Sequence, residues 1–545
     1  MNLITPLQNC EYTVVKLMRW LDAKITETTL RDDLRTHPDY PSLLCISDTL
    51  NAYNVENVAL KTQVDNFSQF PVPFIAHIRD THNGDQVFTL VHKAAAGKIW
   101  YEVPGKNKLT EENADEFTRR FAGHVLLLDG SEAWAEKGYP AKRKEEKRKR
   151  FLNALALSVI PAIALLHIIS LFIQYPPSSV VFPAVFLILT LAGCIISFLL
   201  LLFEIDVHNP VLKDICQAGK KLNCSAVLQS KASGIMGISW SSIGFCYFSG
   251  MLLCLLTQGT DNPGTLLLTG ALALLALPYT LFSVYYQWRI VRQWCVLCLA
   301  VQAILLLQAV TVLTGDFLNY PLSSLSFSEY FATGFCFVLP AVGLYVSLPA
   351  TKESKGGKTH YESLQRLKHN RQVFEALLGR QKKIQHPADG LGILLGNPNA
   401  AWQVIKVCNP YCGPCARAHP VLEELLHTNP DVSLQIIFTA TGNDADPGTA
   451  PVRHLLAIAQ HYDEAVARQA LDNWYNAQEK DYEKFADKYP VEKQQLEQQR
   501  EKMETMKKWC EATQISFTPT IFINGHQLPE IYTIADLKYL LSKTY

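Results

Sequence analysis

The chain is 545 residues long, and its 50 Lys and Arg balance 50 Asp and Glu, so its formal net charge is zero. That length exceeds what one hydrophobic core serves and implies about three domains, while the balanced charge leaves no basic footprint for a nucleic acid. Its 14 cysteines, several at CxxC and Cx7C spacings, are odd in a reducing cytosol unless they do redox work or lie buried.

In chain order, the stretch from Met1 to Cys10 lacks a basic region followed by an apolar one, so no cleavable signal peptide is expected. Residues 1–140 mix helical periodicity, at Tyr12 to Leu21, with β-rich runs at Phe74 to Ile78 and Val87 to Val91, and read as a compact α+β domain. A basic linker at 141–150, with Lys142 to Arg150 facing headgroups or water, leads into lipid. Six apolar stretches at 151–173, 180–203, 236–257, 264–286, 296–314 and 326–349 each approach the ~20 residues that span hydrocarbon. Pro176 and Pro177 keep the first two from being one helix. The region 151–350 is therefore a membrane domain, and 351–390 reads as a polar linker. In 391–545, Gln403 to Val407 reads as a strand, Cys415 to Leu426 as a helix and Leu434 to Phe438 as a strand. A long charged helical insertion follows before Pro519 to Ile523, which is α/β patterning.

Three cysteine pairs carry the chemistry. Cys412-Gly413-Pro414-Cys415 falls between a strand and a helix start, where the helix N-terminus favours a thiolate. Phe517-Thr518-Pro519-Thr520 leads a strand and resembles the cis-proline loop beside the dithiol of thioredoxin-like proteins, with Pro519 as that proline. The large helical insertion resembles the disulfide-forming branch of that superfamily. The Gly-Pro dipeptide matches reducing thioredoxin and leaves direction open. A structural zinc site lacks a second CxxC partner, so no metal is expected. Cys408 and Cys510 read as buried small hydrophobes, as do Cys194, Cys246, Cys254 and Cys336 in the apolar spans.

Cys216 and Cys224 lie in a polar segment, Asp214 to Ser230, between two spans, and Trp294-Cys295-Val296-Leu297-Cys298 opens the next-but-one span, so both pairs share a membrane face. The Cx7C loop, the serine six residues after its second cysteine and the CxxC of a late span together resemble the vitamin K epoxide reductase family over about residues 180–350. Bacterial members of that family carry a fused thioredoxin-like domain. The resemblance implies a four-helix redox core plus extra spans. It also implies a route in which Cys412 and Cys415 take electrons from cysteine-containing clients, Cys216 and Cys224 shuttle them, Cys224 exchanges with Cys295, and Cys298 faces a quinone, ubiquinone or menaquinone. Ser230 would lie near that quinone, where its hydroxyl could bond a carbonyl oxygen.

The N-terminal region, at Asn9-Cys10-Glu11-Tyr12 and at His37 to Leu44, resembles the papain-like cysteine peptidase domain of bacteriocin-exporting transporters, which cuts leader peptides. Cys10 would be its nucleophile at a helix N-terminus. The pattern departs from the family: Glu11 replaces a glycine, and Gln86 stands where the family has its histidine. His92 lies six residues further on, and Glu102 could replace the orienting aspartate. A glutamine cannot act as the general base, so a degenerate domain that binds a leader peptide or docks substrate is expected.

Counting spans places all three cysteine pairs on one face of a bacterial cytoplasmic membrane. Disulfide chemistry favours the periplasm. The charges at Lys142 to Arg150, Lys220, Lys221, Lys231, Arg289, Arg292, Lys352 and Lys355 favour the cytoplasm by the positive-inside rule. The leading expectation is a quinone-dependent thiol–disulfide oxidoreductase, and the alternative is a leader-processing or peptide-binding maturation factor. The spans hold no central ionisable residue and the chain no nucleotide-binding motif, which disfavours active transport.

Overall fold

The computed structural model describes residues 7–62, 67–80, 84–103, 108–129, 135–207, 209, 212, 216, 223–230, 233–235, 237–319, 321 and 325–541. The chain forms two compact units, residues 1–33 with 49–361 and residues 34–48 with 362–545.

The first unit opens with α1 (Asn9–Trp20), whose start is fixed by a reciprocal cap between Gln8 and Glu11. Its Val14, Leu17 and Met18 are buried at helical spacing. After α2 (Glu27–Thr36) and α3 (Leu43–Ala52) come β1 (Asn57–Lys61), β2 (Phe74–Arg79), β3 (Gln86–Ala95), β4 (Lys98–Val103), β5 (Lys108–Asn113), α4 (Ala114–Arg120) and β6 (Phe121–Leu128). The strands form one antiparallel sheet in the order β1-β6-β2-β3-β4-β5. Phe67 packs edge-on against Phe117 and Phe121 at 5.2 Å, an aromatic core for the sheet. The Asn9 amide grips the backbone of Phe88, donating to its carbonyl at 2.8 Å and accepting from its N–H at 2.7 Å, which seats the start of α1 on β3.

Among the described residues, six helices are long and apolar enough to cross a membrane: Tyr139–Gln174, Pro177–Ile205, Trp240–Gln258, Pro263–Val291, Val296–Thr314 and Phe327–Lys368. The basic segment 142–150 is part of the first helix, and residues 351–368 prolong the last. No proline stands between Pro349 and Lys368 to stop the helix once the apolar run ends. Phe151, Leu165 and Ile173 on the first helix and Phe331 and Val346 on the last are exposed, as a lipid-facing surface requires. The second and fifth spans are joined in their buried interior by Gln308, whose amide donates to the Thr190 hydroxyl at 2.9 Å. Lys352 and Lys355 reach Glu204 and Asp206 at 2.9 and 2.6 Å and tie the sixth span to the end of the second. A two-stranded hairpin, β7 (Gly234–Ile235) and β8 (Ile238–Ser239), precedes the third span.

In the second unit β9 (Ile393–Gly396), β10 (Trp402–Cys408), β11 (Val432–Phe438), β12 (Thr520–Ile523) and β13 (His526–Gln527) form a sheet in the order β13-β12-β10-β11-β9. Only β10 and β11 run parallel, joined by the helix Gly413–Thr428, as a parallel pair needs a crossover connection. The insertion between β11 and β12 is five helices, from Thr449 to Ala512, and contributes Val452, Leu455, Trp474, Met503 and Met506 to the core.

Span packing in the first unit hinges on Gly193, against which the buried Phe248 of the third span lies so closely that a Cβ would fall 2.2 Å from its ring. Gly193→Val should therefore separate the second and third spans at a cost of about 1–3 kcal/mol, read as a lowered Tm of the detergent-solubilised protein. An unchanged Tm would show that the ring yields.

Candidate redox centres

The two membrane pairs are built into one cluster. Cys216 and Cys224 form a disulfide with their Cα atoms 5.4 Å apart. The loop that joins them, 217–222, lies outside the described residues, as do Lys231 and the positions 213–215. Cys224 starts a short helix to Leu228 that Asn223 caps, its side-chain oxygen accepting the Ala226 N–H at 3.2 Å. The Asn223 N–H donates to the Trp294 carbonyl at 3.0 Å, which sews the loop cysteine to the residue preceding Cys295. Cys295 in turn is the N-cap of the fifth span. Its sulfur accepts the Cys298 N–H at 3.3 Å, and its own N–H donates to the buried Gln287 at 2.8 Å. Cys216, Cys224 and Cys295 are buried with Leu200, Phe203 and Phe248 in a single apolar cluster, and Cys298 packs half-buried against it.

Cys298 also lines a cavity of about 210 Å³ with Ser197, Trp240, Tyr247, Tyr279 and Gln302. Its wall is largely apolar, yet both polar atoms of the Gln302 amide and the Tyr247 hydroxyl are buried without a hydrogen-bond partner among the described residues. Orphaned donors in a dry site are costly unless a ligand satisfies them. Trp240 and Tyr279 lie 4.6 Å apart, offering aromatic faces. The arrangement suits a flat apolar molecule that carries hydrogen-bond-accepting oxygens. Ser230, expected at this pocket, lies outside its lining: the short helix ends at Leu228, and the Ser230 hydroxyl turns back to the Val227 carbonyl at 2.6 Å. Gln302 was missed by sequence reasoning. Its signal is a lone amide four residues after Cys298, one turn down the same helix face in an apolar run.

In the second unit, Cys412 is the N-cap of the helix Gly413–Thr428 and accepts the Cys415 N–H at 3.2 Å. The Thr518–Pro519 peptide is cis and brings the Thr518 carbonyl 3.4 Å from the Cys412 sulfur. Burial alone would raise the Cys412 thiol, but contacts with Cys415 and Thr518, the Cys415 N–H and the charge of Lys406 together hold it below the ordinary value. Burial, then the hydrogen bond with Cys412, pushes Cys415 up to about 12. One sulfur is thus partly exposed and held towards the thiolate, and the other is buried and held as the thiol. Cys408 and Cys510 are buried, as small hydrophobes are, and Cys408 adds a 3.0 Å contact with the Tyr475 hydroxyl.

In the N-terminal part Cys10 is the second residue of α1 and is 2 % exposed. Gln86 begins β3 at an exposed position. His92 lies 3.3 Å from Glu102, which also takes the Tyr12 hydroxyl at 3.1 Å and Lys16 at 3.4 Å. His92 and Glu102 are thus brought together, while no described contact joins either to Cys10. Among the described residues, no cluster of metal-ligating side chains occurs.

Family models match three stretches of the chain: the peptidase C39 family at residues 12–133, the vitamin K epoxide reductase family at 184–313 and thioredoxin at 389–543. The chain is thus a multi-pass membrane protein that fuses domains of these three kinds, and a thiol–disulfide oxidoreductase. No curated protein matches it. Among solved structures, a thioredoxin-like oxidoreductase from Silicibacter pomeroyi is 17% identical over 28% of this chain and 91% of its own, with a TM-score of 0.24. BdbD from Bacillus subtilis is 12% identical over 30% and 94%, with a TM-score of 0.24. A double glycine motif protease from an AMS/PCAT transporter, in complex with the leader peptide, is 16% identical over 23% and 89%, with a TM-score of 0.20.

The opposed shifts at Cys412 and Cys415 predict the pH dependence of alkylation. With its thiol held low, Cys412 should stay reactive to iodoacetamide as pH falls below the ordinary thiol range of about 8.5, whereas Cys415 should resist throughout. Mass spectrometry of the two sites in the reduced protein reads this, and equal rates with a midpoint at the ordinary value would contradict it.

Proposed function

We propose that the protein oxidises cysteine-containing clients through Cys412 and Cys415 and passes the electrons by way of Cys216, Cys224, Cys295 and Cys298 to a quinone. The observation that carries this reading is the continuity of the membrane centre, a loop disulfide and a second dithiol in one buried cluster that ends at a cavity with orphaned donors.

Each exchange follows thiolate attack on a disulfide sulfur. A client thiolate attacks Cys412, and Cys415 leaves; the second client thiolate then resolves the mixed disulfide and Cys412 leaves, so that two electrons reach the pair. Handing them on reduces the bond between Cys216 and Cys224. The Cys224 thiolate then attacks Cys295 of the oxidised second pair, releasing Cys298 on the cavity wall. Cys216 attacks Cys224 of that mixed disulfide, restoring the Cys216–Cys224 bond and releasing Cys295, so that two electrons rest on the second pair. The backbone hydrogen bond from Asn223 to Trp294, residues adjacent to Cys224 and Cys295, supports this exchange. A quinone, ubiquinone or menaquinone, supplies a two-electron, two-proton acceptor when bound. The residues that would hold it are Gln302 and Tyr247, whose donors suit its carbonyl oxygens, and Trp240 and Tyr279, whose faces suit its ring. We place the centre on the periplasmic face of the bacterial cytoplasmic membrane, because exported clients are oxidised there.

For the N-terminal domain we propose peptide binding without cleavage. A cysteine that is 2 % exposed, with His92 engaged by Glu102 and no described contact to it, supports a binder of leader-like or client peptides.

Turnover of a reduced, membrane-impermeant dithiol peptide with added quinone tests the main reading. Right-side-out vesicles should oxidise the peptide. Cys298→Ala should lose quinone reduction while retaining a single exchange at Cys412 and Cys415, and Gln302→Ala should raise the quinone KM about tenfold, one hydrogen bond's worth. Unchanged quinone turnover in Cys298→Ala sinks the reading, and activity confined to inside-out vesicles reverses the face. For the N-terminal domain, wild type and Cys10→Ala should bind a leader peptide equally and leave it intact; cleavage lost in Cys10→Ala would restore an active peptidase.

A further inference from the structure

Beneath the C-terminal dithiol lies a charge for which the exchange chemistry above has no use. Lys406 is fully buried on the central strand β10, and its Nζ has no hydrogen-bond partner among the described residues. A lone ammonium in a protein core is among the most costly groups to bury. Strand alternation puts Lys406 on the same face as Cys408, two residues on, beneath the helices Gly413–Thr428 and Glu464–Asn476. Its Nζ sits 4.3 Å from the centre of the Tyr475 ring, a cation–π contact that offsets part of the cost without neutralising the charge.

The surrounding titratable groups are few. From the helix Gly413–Thr428 come Cys412, Cys415, His419 and Glu423, and from Glu464–Asn476 come Tyr475, Asp472 and Arg468, with Lys480 just beyond. Glu423 lies 3.9 Å from Arg468 and is pushed up by burial against the opposing charges of Arg468 and Lys406, so it answers the Lys406 charge only in part and without a hydrogen bond. His419 is driven down to about 3 by burial and by the charges of Lys406 and Lys480, so it adds no positive charge of its own. The field of Lys406 lowers both Cys412 and Cys408.

We propose that Lys406 is a positioning residue for oxidising strength: its sealed, unpaired ammonium stabilises the thiolate of the reduced Cys412–Cys415 pair and biases exchange towards taking electrons from clients. This rests on the thiol-oxidising reading and supplies the direction that the Gly-Pro dipeptide leaves open. In the step affected, a client thiolate bonds to Cys412 as the Cys412–Cys415 bond breaks, and Cys415 takes up a proton. The second client thiolate then forms the client disulfide as Cys412 departs as the thiolate. Two electrons pass to the pair, and of the two client protons one ends on Cys415 and one in solvent. A charge that stabilises the departing Cys412 thiolate favours the reduced pair at equilibrium.

The test uses the full-length protein in detergent, equilibrated in glutathione buffers, with the state of the Cys412–Cys415 peptide read by differential alkylation and mass spectrometry. Lys406→Met should shift the equilibrium at least tenfold towards the disulfide, about 30 mV for a two-electron couple, and move the Cys412 alkylation midpoint to higher pH. Lys406→Arg, which keeps the charge, should stay within threefold of wild type on both readouts. Should Lys406→Met not fold by its thermal transition, Lys406→Gln is read in its place. A shift below threefold in the uncharged variant, or equal shifts in the charged and uncharged ones, overturns the role of Lys406 while leaving the oxidoreductase intact. Absence of any exchange at Cys412 in wild type overturns the oxidoreductase reading and this inference with it.

Discussion

A cysteine at the N-cap of a helix is the arrangement on which both redox centres depend. Cys295 and Cys412 each end an extended segment and accept, through sulfur, the N–H of a second cysteine three residues on. The four free N–H groups of a helix start need acceptors, and a thiolate satisfies one of them while gaining from the helix dipole. The same local contact thus caps the helix and gives the two sulfurs of each pair different surroundings. Two unrelated folds, a membrane bundle and an α/β sheet, are built around that one contact.

What surrounds each cap differs with its solvent. In the membrane unit, polar groups act as anchors because lipid offers no competing water: Gln287 holds the Cys295 N–H, Gln308 joins two spans to Thr190, and Asn223 binds the Trp294 carbonyl. Two groups without a hydrogen-bond partner among the described residues, Gln302 and Tyr247, line the cavity beside Cys298. In the sheet unit the helical insertion covers the dithiol from behind, and the Trp474 indole donates to the Pro410 carbonyl at 2.9 Å just ahead of Cys412. Among the buried polar groups without a hydrogen-bond partner there is Lys406. In each unit a buried polar group without a hydrogen-bond partner among the described residues, Gln302 in one and Lys406 in the other, lies near a cysteine pair.

Much of this was legible in the chain itself. The six apolar runs, the strand before Cys412, the helix after it and Pro519 beside it are all local signals, written in period and in turn chemistry. The two CxxC pairs carried their caps with them, because the spacing of three residues is the spacing of a helix's first turn. Other features were not legible. The basic segment 142–150 and the polar stretch 351–368 are helix rather than linker, since charge marks exposure and does not by itself break a helix. Ser230 was assigned to the pocket by its distance from Cys224, but a helix that stops at Leu228 turns its hydroxyl elsewhere.

The sequence alone determined the three kinds of domain, the number of spans and the three cysteine pairs, because each rests on residues close together in the chain. Tertiary structure decided which of those groups meet. Cys216, Cys224 and Cys295 come from segments separated by two spans and join only when the bundle closes. Gln302 becomes a cavity-lining amide only when Tyr247 and Trp240 complete the wall. Lys406, one residue of an ordinary strand, becomes an isolated charge only when helices cover both sides of the sheet. Local pattern fixes what a residue can do, and long-range packing fixes whether water, lipid or another side chain is there to answer it.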